Sequence, residues 1–278
     1  MKTIGIIGLG VMGASFAKRL THKGYCVYGF ERSQETLDTA LAQGMIQKGT
    51  TKPQELLNQC DLIIIALYPT QILNWVQTYQ SYCKPGTYIM DISGVKTHII
   101  TPVQDILRKD LELISIHPMC GRESRGIDFS DETIFNQANY MIIPTDKNTQ
   151  QGIQTAKKLG EVLGVKNISI LTMEEHDRMI GFLSQLTHVI AVSLMNTHEN
   201  SHLVEYTGDS FRDLTRIATI NEDLWTELFL LNKDILLDET DQFIQSIQHF
   251  RDALANEDQE EMKRLFIQST KRRKLFNK

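Results

Sequence analysis

The stretch GIIGLGVMGASFAKRL, residues 5–20, limits what this chain can fold into more than any other. It contains Gly8-x-Gly10-x-x-Gly13, placed after an apolar run and at the start of an amphipathic one. Alone, that spacing means little. Between a strand and a helix it is the turn that seats a dinucleotide. Gly8 permits the tight turn, Gly10 lets backbone approach a pyrophosphate, and Gly13 lets helix and strand pack closely. The phosphates would lie at the positive end of the helix, against the loop Gly8, Leu9, Gly10, Val11, Met12 and Gly13. A glycine-rich turn without ligand is the alternative. The next apolar run ends in YGFERS, with Glu31 about 20 residues beyond the glycines, where an acid binds the adenosine ribose hydroxyls of NAD. Arg32 and Ser33 follow, and an arginine there can accommodate a 2′-phosphate, so NADP stays possible.

The remaining first half repeats the alternation. Apolar runs occur at 3–8, 25–30, 61–67, 87–92, 112–117, 140–144 and 167–171. The first five are rich in β-branched residues and read as parallel strands buried on both faces. Helix-like segments separate them, which predicts an α/β Rossmann-type doubly wound sheet over residues 1–171. Residues 45–56 and 128–137 read as loops. At Thr172 the pattern changes. Thr172 and Glu175 form a capping-box signature, and apolar residues then recur at helical spacing for about six turns. No proline follows, so residues 172–278 are expected to form an all-helical C-terminal domain for substrate binding and dimerisation. The first long helix is apolar on more than one side, as either a buried central helix or a subunit interface would be.

Composition narrows the function classes. Hydrophobic residues make up 41%, which suits a globular chain, and the formal net charge of −5 offers no basic face for nucleic acid. No run of eighteen apolar residues predicts a membrane span, and MKTIGIIGLG reads as strand and turn rather than a secretory leader. The four cysteines lack CxxC spacing and read as reduced thiols, so a cytoplasmic protein is expected. Cys120 could be a nucleophile, but no activating partner is evident in the sequence. His198 and His202 have i, i+4 spacing without a third ligand, and no metal site is expected.

In open α/β sheets ligands bind beyond the carboxyl ends of the strands. DISGVK (91–96) closes the fourth run and HPMCGRE (117–123) the fifth, on the same edge as the glycine loop. A nicotinamide there would meet Lys96 and His117. An imidazole with a pKa near 6.5 is suited to taking a proton from an alcohol as hydride leaves. Taken singly, His117 could equally cap the strand.

The glycine loop, DISGVK, HPMCGRE, EEHDR (174–178) and FRDLTRIA (211–218), in that order, resemble the prephenate/arogenate dehydrogenase family of tyrosine biosynthesis over nearly the whole chain. The resemblance implies a Rossmann domain, a helical domain that makes a homodimer, and an NAD(P)-dependent oxidative decarboxylation of prephenate or arogenate. It implies that His117 takes the proton of the substrate 4-hydroxyl, with Lys96 and Ser93 as auxiliary catalytic groups. It also implies that Arg216 binds a substrate carboxylate and that His188 contacts the side chain.

The residues of the helical half agree with a dianionic substrate. Arginine offers a planar fork to a carboxylate, and Arg212 and Arg216 at i, i+4 share one face if the segment is helical. Arg212 could instead be a surface ion pair, and His188 a core histidine. The chain also departs from the family pattern. Gly94 replaces a serine common in relatives, with Ser93 one residue earlier. Gln185 replaces the first histidine of an SHLPH segment, and Arg122 occupies a position that is often threonine, where it could touch the substrate. A β-hydroxyacid dehydrogenase would carry a glycine-rich substrate loop and a lysine–asparagine helix motif, and neither is present. A non-catalytic dinucleotide-binding sensor remains the reading from a different class.

Overall fold

The computed structural model describes residues 2–121, 124–199 and 201–277, the side chains of Ser201 and Asn277 excepted. Arg122 lies outside the described residues. The first half is built on a six-stranded parallel sheet: β1 (Thr3–Ile7), β2 (Cys26–Phe30), β3 (Lys48–Thr50), β4 (Leu62–Ile65), β5 (Tyr88–Asp91) and β6 (Glu112–Leu113). Its order is β3-β2-β1-β4-β5-β6, so the direction of winding reverses between β1 and β4. That reversal is where a doubly wound sheet opens a crevice, and the glycine loop leaves β1 there.

The alternation of side chains sorts the core. Leu62 and Ile64 face Phe16 and Leu20 of α1 (Val11–His22) and Leu37 of α2 (Gln34–Ala42). Ile63 and Ile65 face Ile72 and Val76 of α3 (Pro69–Tyr79) and Ile100 and Val103 of α4 (Thr97–Ile106). Both faces are dry because crossover helices cover both, as parallel sheets require. Each such side chain contributes about 1.5–3 kcal/mol by burial.

Two expectations change. Residues 45–56 hold β3 and not only loop. The fifth apolar run is divided: only Glu112–Leu113 joins the main sheet. After Ile114 donates its amide to Ile89 O at 2.9 Å, the chain turns away. β7 (Ser115–Met119) then pairs antiparallel with β8 (Asn139–Ile143), and β9 (Asn167–Ile170) adds parallel to β8. His117 thus stands in a second, three-stranded sheet, opposite Met141. A run apolar throughout does not mark where a strand changes sheets. The segment 128–137 folds as two short 3-10 turns, Ile127–Phe129 and Glu132–Phe135.

After α5 (Gln150–Leu163) and β9, the second half is helical. It comprises α6 (Met173–Ile180), α7 (Thr187–Met195), α8 (Asp209–Thr215), α9 (Glu222–Leu231), α10 (Lys233–Ala255) and α11 (Gln259–Lys274). The capping box at Thr172 forms, with Thr172 and Glu175 each bonding the other's backbone. The expected single long helix carries a π turn, Gly181–Leu186, between α6 and α7. Gly181 admits α10 there, since a Cβ would meet Ile235 Cγ2 at 2.7 Å. Met173–Met195 is long and apolar enough, by length and composition alone, to cross a membrane. It also carries buried His176, Asp177 and Gln185.

The two halves are joined by borrowed helix caps. Neither α3 nor α4 has a side-chain cap from its own N-cap residue. Asp177 of α6 accepts from the amides of Lys96 at 2.9 Å and Thr97 at 2.8 Å, at the start of α4. Glu227 of α9 accepts from the amide and hydroxyl of Thr70, at the start of α3, at 3.2 and 2.9 Å. Carboxylates at helix N-termini satisfy amides that no carbonyl reaches and favour the positive end of the helix. Arg125 also pairs with Glu222.

Candidate active site

At the glycine loop, Gly8 has φ +86, a left-handed conformation, and a Cβ there would lie 2.7 Å from Ala66 O. A Cβ on Gly13 would lie 1.9 Å from Gly8 O, so this close helix–strand approach needs glycine. Gly10 differs: its Cβ would meet nothing within 4 Å, and it caps α1 without any side-chain hydrogen bond. The opening amides of α1, from Val11, Met12 and Gly13, therefore face a clear approach for an anion. Leu9 buries its side chain and donates its amide to Glu31 Oε2 at 2.8 Å. The other carboxylate oxygen of Glu31 accepts from the Arg32 amide at 2.7 Å. Glu31 is thereby fixed at the end of β2, beside the loop. Ser33 caps α2 by accepting from the Thr36 amide, while Arg32 is exposed. These residues fit a dinucleotide: an open helix end for its phosphates and a held carboxylate for ribose hydroxyls.

The chemistry-bearing group lies on β7. His117 is partly buried, and its Nδ1 is 2.8 Å from Nε2 of His176 on α6. His176 Nδ1 is 2.7 Å from Asp177 Oδ1. Burial, then the charges of His176 and Lys96, holds the His117 pKa well below its ordinary value. Burial also lowers the pKa of His176, opposed by its hydrogen bond to Asp177. Asp177 remains an anion, because hydrogen bonds from His176 and Thr97 outweigh its burial. Among the described residues, Nε2 of His117 has no hydrogen-bond partner.

Lys96 is placed differently from the sequence expectation. It is fully buried, and its ammonium bonds Asp91 Oδ2 at 2.9 Å and Ile116 O at 2.8 Å. It braces the strand carrying His117 from behind, where desolvation pulls its pKa down against Asp91. Ser93 donates to Asp91 Oδ2 at 2.7 Å and is also within hydrogen-bond reach of Val95 O, at 2.8 Å, so it belongs to the same buried cluster. Gly94 faces the site instead. A Cβ there would lie 3.2 Å from Leu228 Cδ2 and 4.0 Å from His117 Cε1.

Leu228 leads to the helical side of the site. One turn earlier on α9, Trp225 stacks on His188 with ring centroids 3.6 Å apart. His188 Nδ1 lies 2.8 Å from Ser184 O, which ties the ring to the preceding turn of its own helix. Gln185 is buried and structural: it donates to Leu228 O at 2.9 Å and accepts from Asn232 at 2.7 Å. Its amide thus serves as both donor and acceptor between α9 and the start of α10. Arg212 and Arg216 do not share a helix, because α8 ends at Thr215 and Arg216 opens a 3-10 turn, Arg216–Ala218. Arg212 is exposed and bonds Asp209 at 2.6 Å and Thr207 O at 2.8 Å. Arg216 is exposed and has a partner of its own. Burial pushes the Cys120 thiol up to about 12, so it carries no thiolate at neutral pH.

A dinucleotide seat on one half, and on the other a helix that holds an imidazole through a second imidazole, define a nucleotide-binding oxidoreductase with a helical partner domain. Family models make this particular: residues 16–169 match the nucleotide-binding domain of prephenate dehydrogenase, and residues 172–268 its dimerization domain. The chain belongs to the prephenate dehydrogenase family. It is 28% identical over 272 residues to prephenate dehydrogenase of Bacillus subtilis, covering 95% of this chain and 73% of that one. It is 29% identical to cyclohexadienyl dehydrogenase of Zymomonas mobilis, covering 98% and 95%. The prephenate dehydrogenase of A. aeolicus, solved with hydroxyphenyl propionate and NAD+, superposes with a TM-score of 0.90 at 25% identity, covering 99% and 98%. Synechocystis arogenate dehydrogenase shares the fold, with a TM-score of 0.83 at 24% identity.

Proposed function

We propose that this protein is a prephenate dehydrogenase that converts prephenate to 4-hydroxyphenylpyruvate with NAD. The observation that carries this reading is His117: an imidazole kept neutral by its surroundings, held at Nδ1, with Nε2 left for a ligand. The dinucleotide, when bound, supplies the acceptor for the hydride on ring carbon 4. His117 Nε2 takes the proton of the 4-hydroxyl, and the C–O bond becomes a carbonyl conjugated with the ring. The bond from the ring to its carboxylate then breaks, and its electron pair passes through the ring to that oxygen. Carbon dioxide leaves, the ring becomes aromatic, and the proton on His117 can return to the phenolate. Hydride, proton and electron pair are thus all accounted for, and His117 ends as it began.

Arg216 is assigned to a substrate carboxylate, and His188, fixed on Trp225, to the side chain. NAD is preferred over NADP because Glu31 is anchored by two amides where a 2′-phosphate would stand, and Ser33 is committed to capping α2. Arogenate is the alternative substrate that the resemblance to the prephenate/arogenate dehydrogenase family implies. It differs by an ammonium in place of a ketone. Steady-state assays of the purified chain with prephenate and arogenate, each with NAD+ and NADP+, test the reading. The expected result is the highest kcat/KM for prephenate with NAD+. A higher value for arogenate reassigns the substrate, and no turnover in any combination rejects the reading.

A further inference from the structure

We infer that Asp177 and His176 are positioning residues that fix the tautomer of His117, making Nε2 the atom that accepts the substrate proton. This rests on the proposed reaction for its consequence, but the tautomer itself follows from hydrogen bonding. Asp177 is ionised and can only accept, so His176 must carry its hydrogen on Nδ1, 2.7 Å away. A neutral His176 then has a bare Nε2, which accepts from the atom 2.8 Å away, Nδ1 of His117. His117 therefore carries its hydrogen on Nδ1, and its lone pair is on Nε2. Each step is forced by the one before, and the chain begins at a carboxylate. The same order is what lets an aspartate orient a histidine in hydrolase triads, here extended by one ring.

The charged groups around the pair come from three segments. Asp177 lies on α6, Asp91 ends β5, and Lys96 lies between β5 and α4 and bonds the carbonyl next to His117. Lys96 disfavours a second positive charge near the rings, and Asp177 restrains the one that forms during turnover. A proton placed on His176 in the resting protein would make both its nitrogens donors. His117 would then be forced to accept at Nδ1, and Nε2 would carry hydrogen and cease to be a base. The acid limb of activity thus reports the two rings together.

The arrangement also makes the base conditional on domain docking. Asp177 uses Oδ1 for both His176 and the Lys96 amide and Oδ2 for the Thr97 amide, so the group that orients the imidazoles is the one that caps α4. The relay forms when the helical half seats on the nucleotide-binding half.

Long-range 1H–15N correlation spectra of the uniformly 15N-labelled full chain at pH 7.5 read the tautomer directly. His117 is expected to show a protonated Nδ1 and a bare Nε2, and the opposite tautomer overturns the inference. His176→Leu removes the acceptor and should lower kcat about 10²-fold, with KM and NAD affinity within about 2-fold of the parent. His176→Gln places an amide oxygen where Nε2 accepted and an amide N–H toward Asp177, and should recover most of that loss and flatten the acid limb. Parent-like kcat in His176→Leu, or no recovery in a folded His176→Gln, overturns it. If the parent chain oxidises neither prephenate nor arogenate, the functional reading fails, and the spectra still decide the tautomer.

Discussion

His117 and His176 are held neutral by burial, and this leaves a mark on stability as well as on chemistry. Both have folded-state pKa values depressed below the ordinary 6.5. As pH falls past that value the unfolded chain binds protons that the folded chain refuses. The contribution is therefore fully present above about pH 6.5 and is lost as pH falls toward the depressed values. The urea midpoint should be higher at pH 7.5 than at pH 5.5, and the difference should shrink in His176→Gln. An unchanged difference would mean that His176 charges as readily in the folded protein as in the unfolded. At this scale the sequence was only partly legible. Gly8, Gly13, Glu31 and His117 can be picked out because each belongs to a short local motif, the glycine loop, YGFERS or HPMCGRE. His176 and Asp177 cannot, although EEHDR is one of the motifs that mark the family. Their meaning depends on a contact across 59 positions of chain. Lys96 illustrates the opposite case. Its position in the motif is plain, but no local pattern tells a lysine that meets substrate from one that is buried on Asp91.

Among the elements, β1, its glycine turn and α1 carry the strongest constraint. The Gly13 backbone approaches Gly8 O so closely that a methyl group at 1.9 Å would force β1 and α1 apart. Gly13→Ala should abolish measurable NAD binding by calorimetry and lower the melting temperature by several degrees, as backbone displacement costing about 1–3 kcal/mol would do. Parent-like affinity would show that the loop can re-form around a side chain. Strand positions were readable because runs such as DLIIIAL are buried on both faces. The division of the fifth run was not, because β6 and β7 are equally apolar and the change of sheet is decided by what each pairs with. The π turn was hidden for a similar reason. It repositions Gln185 and His188 without altering the helical spacing of apolar residues on either side.

For the molecule as a whole, the helical half does two jobs. It supplies caps to α3 and α4, and it carries a large exposed apolar surface, with Leu237, Ile244, Ile247 and Leu254 of α10 and Phe266 and Ile267 of α11 all open to solvent. Patches of this kind mark interfaces, and the matched dimerization domain covers these helices. Light scattering in line with gel filtration should give about twice the 31.8 kDa of one chain. A mass of one chain would leave that surface unexplained. The division into a nucleotide-binding half and a helical half is the part of the architecture most visible in the sequence, since it needs only a change of hydrophobic period at Thr172. The dependence of the base on the docking of those halves is the least visible. The central claim is that His117, oriented from the helical half, is the base of the oxidation. His117→Asn tests it most directly, with kcat for prephenate and the dissociation constant of NAD measured on the same preparation. The account predicts turnover lower by about 10³-fold or more with NAD affinity nearly unchanged. Turnover equal to the parent, at equal NAD affinity, would contradict it.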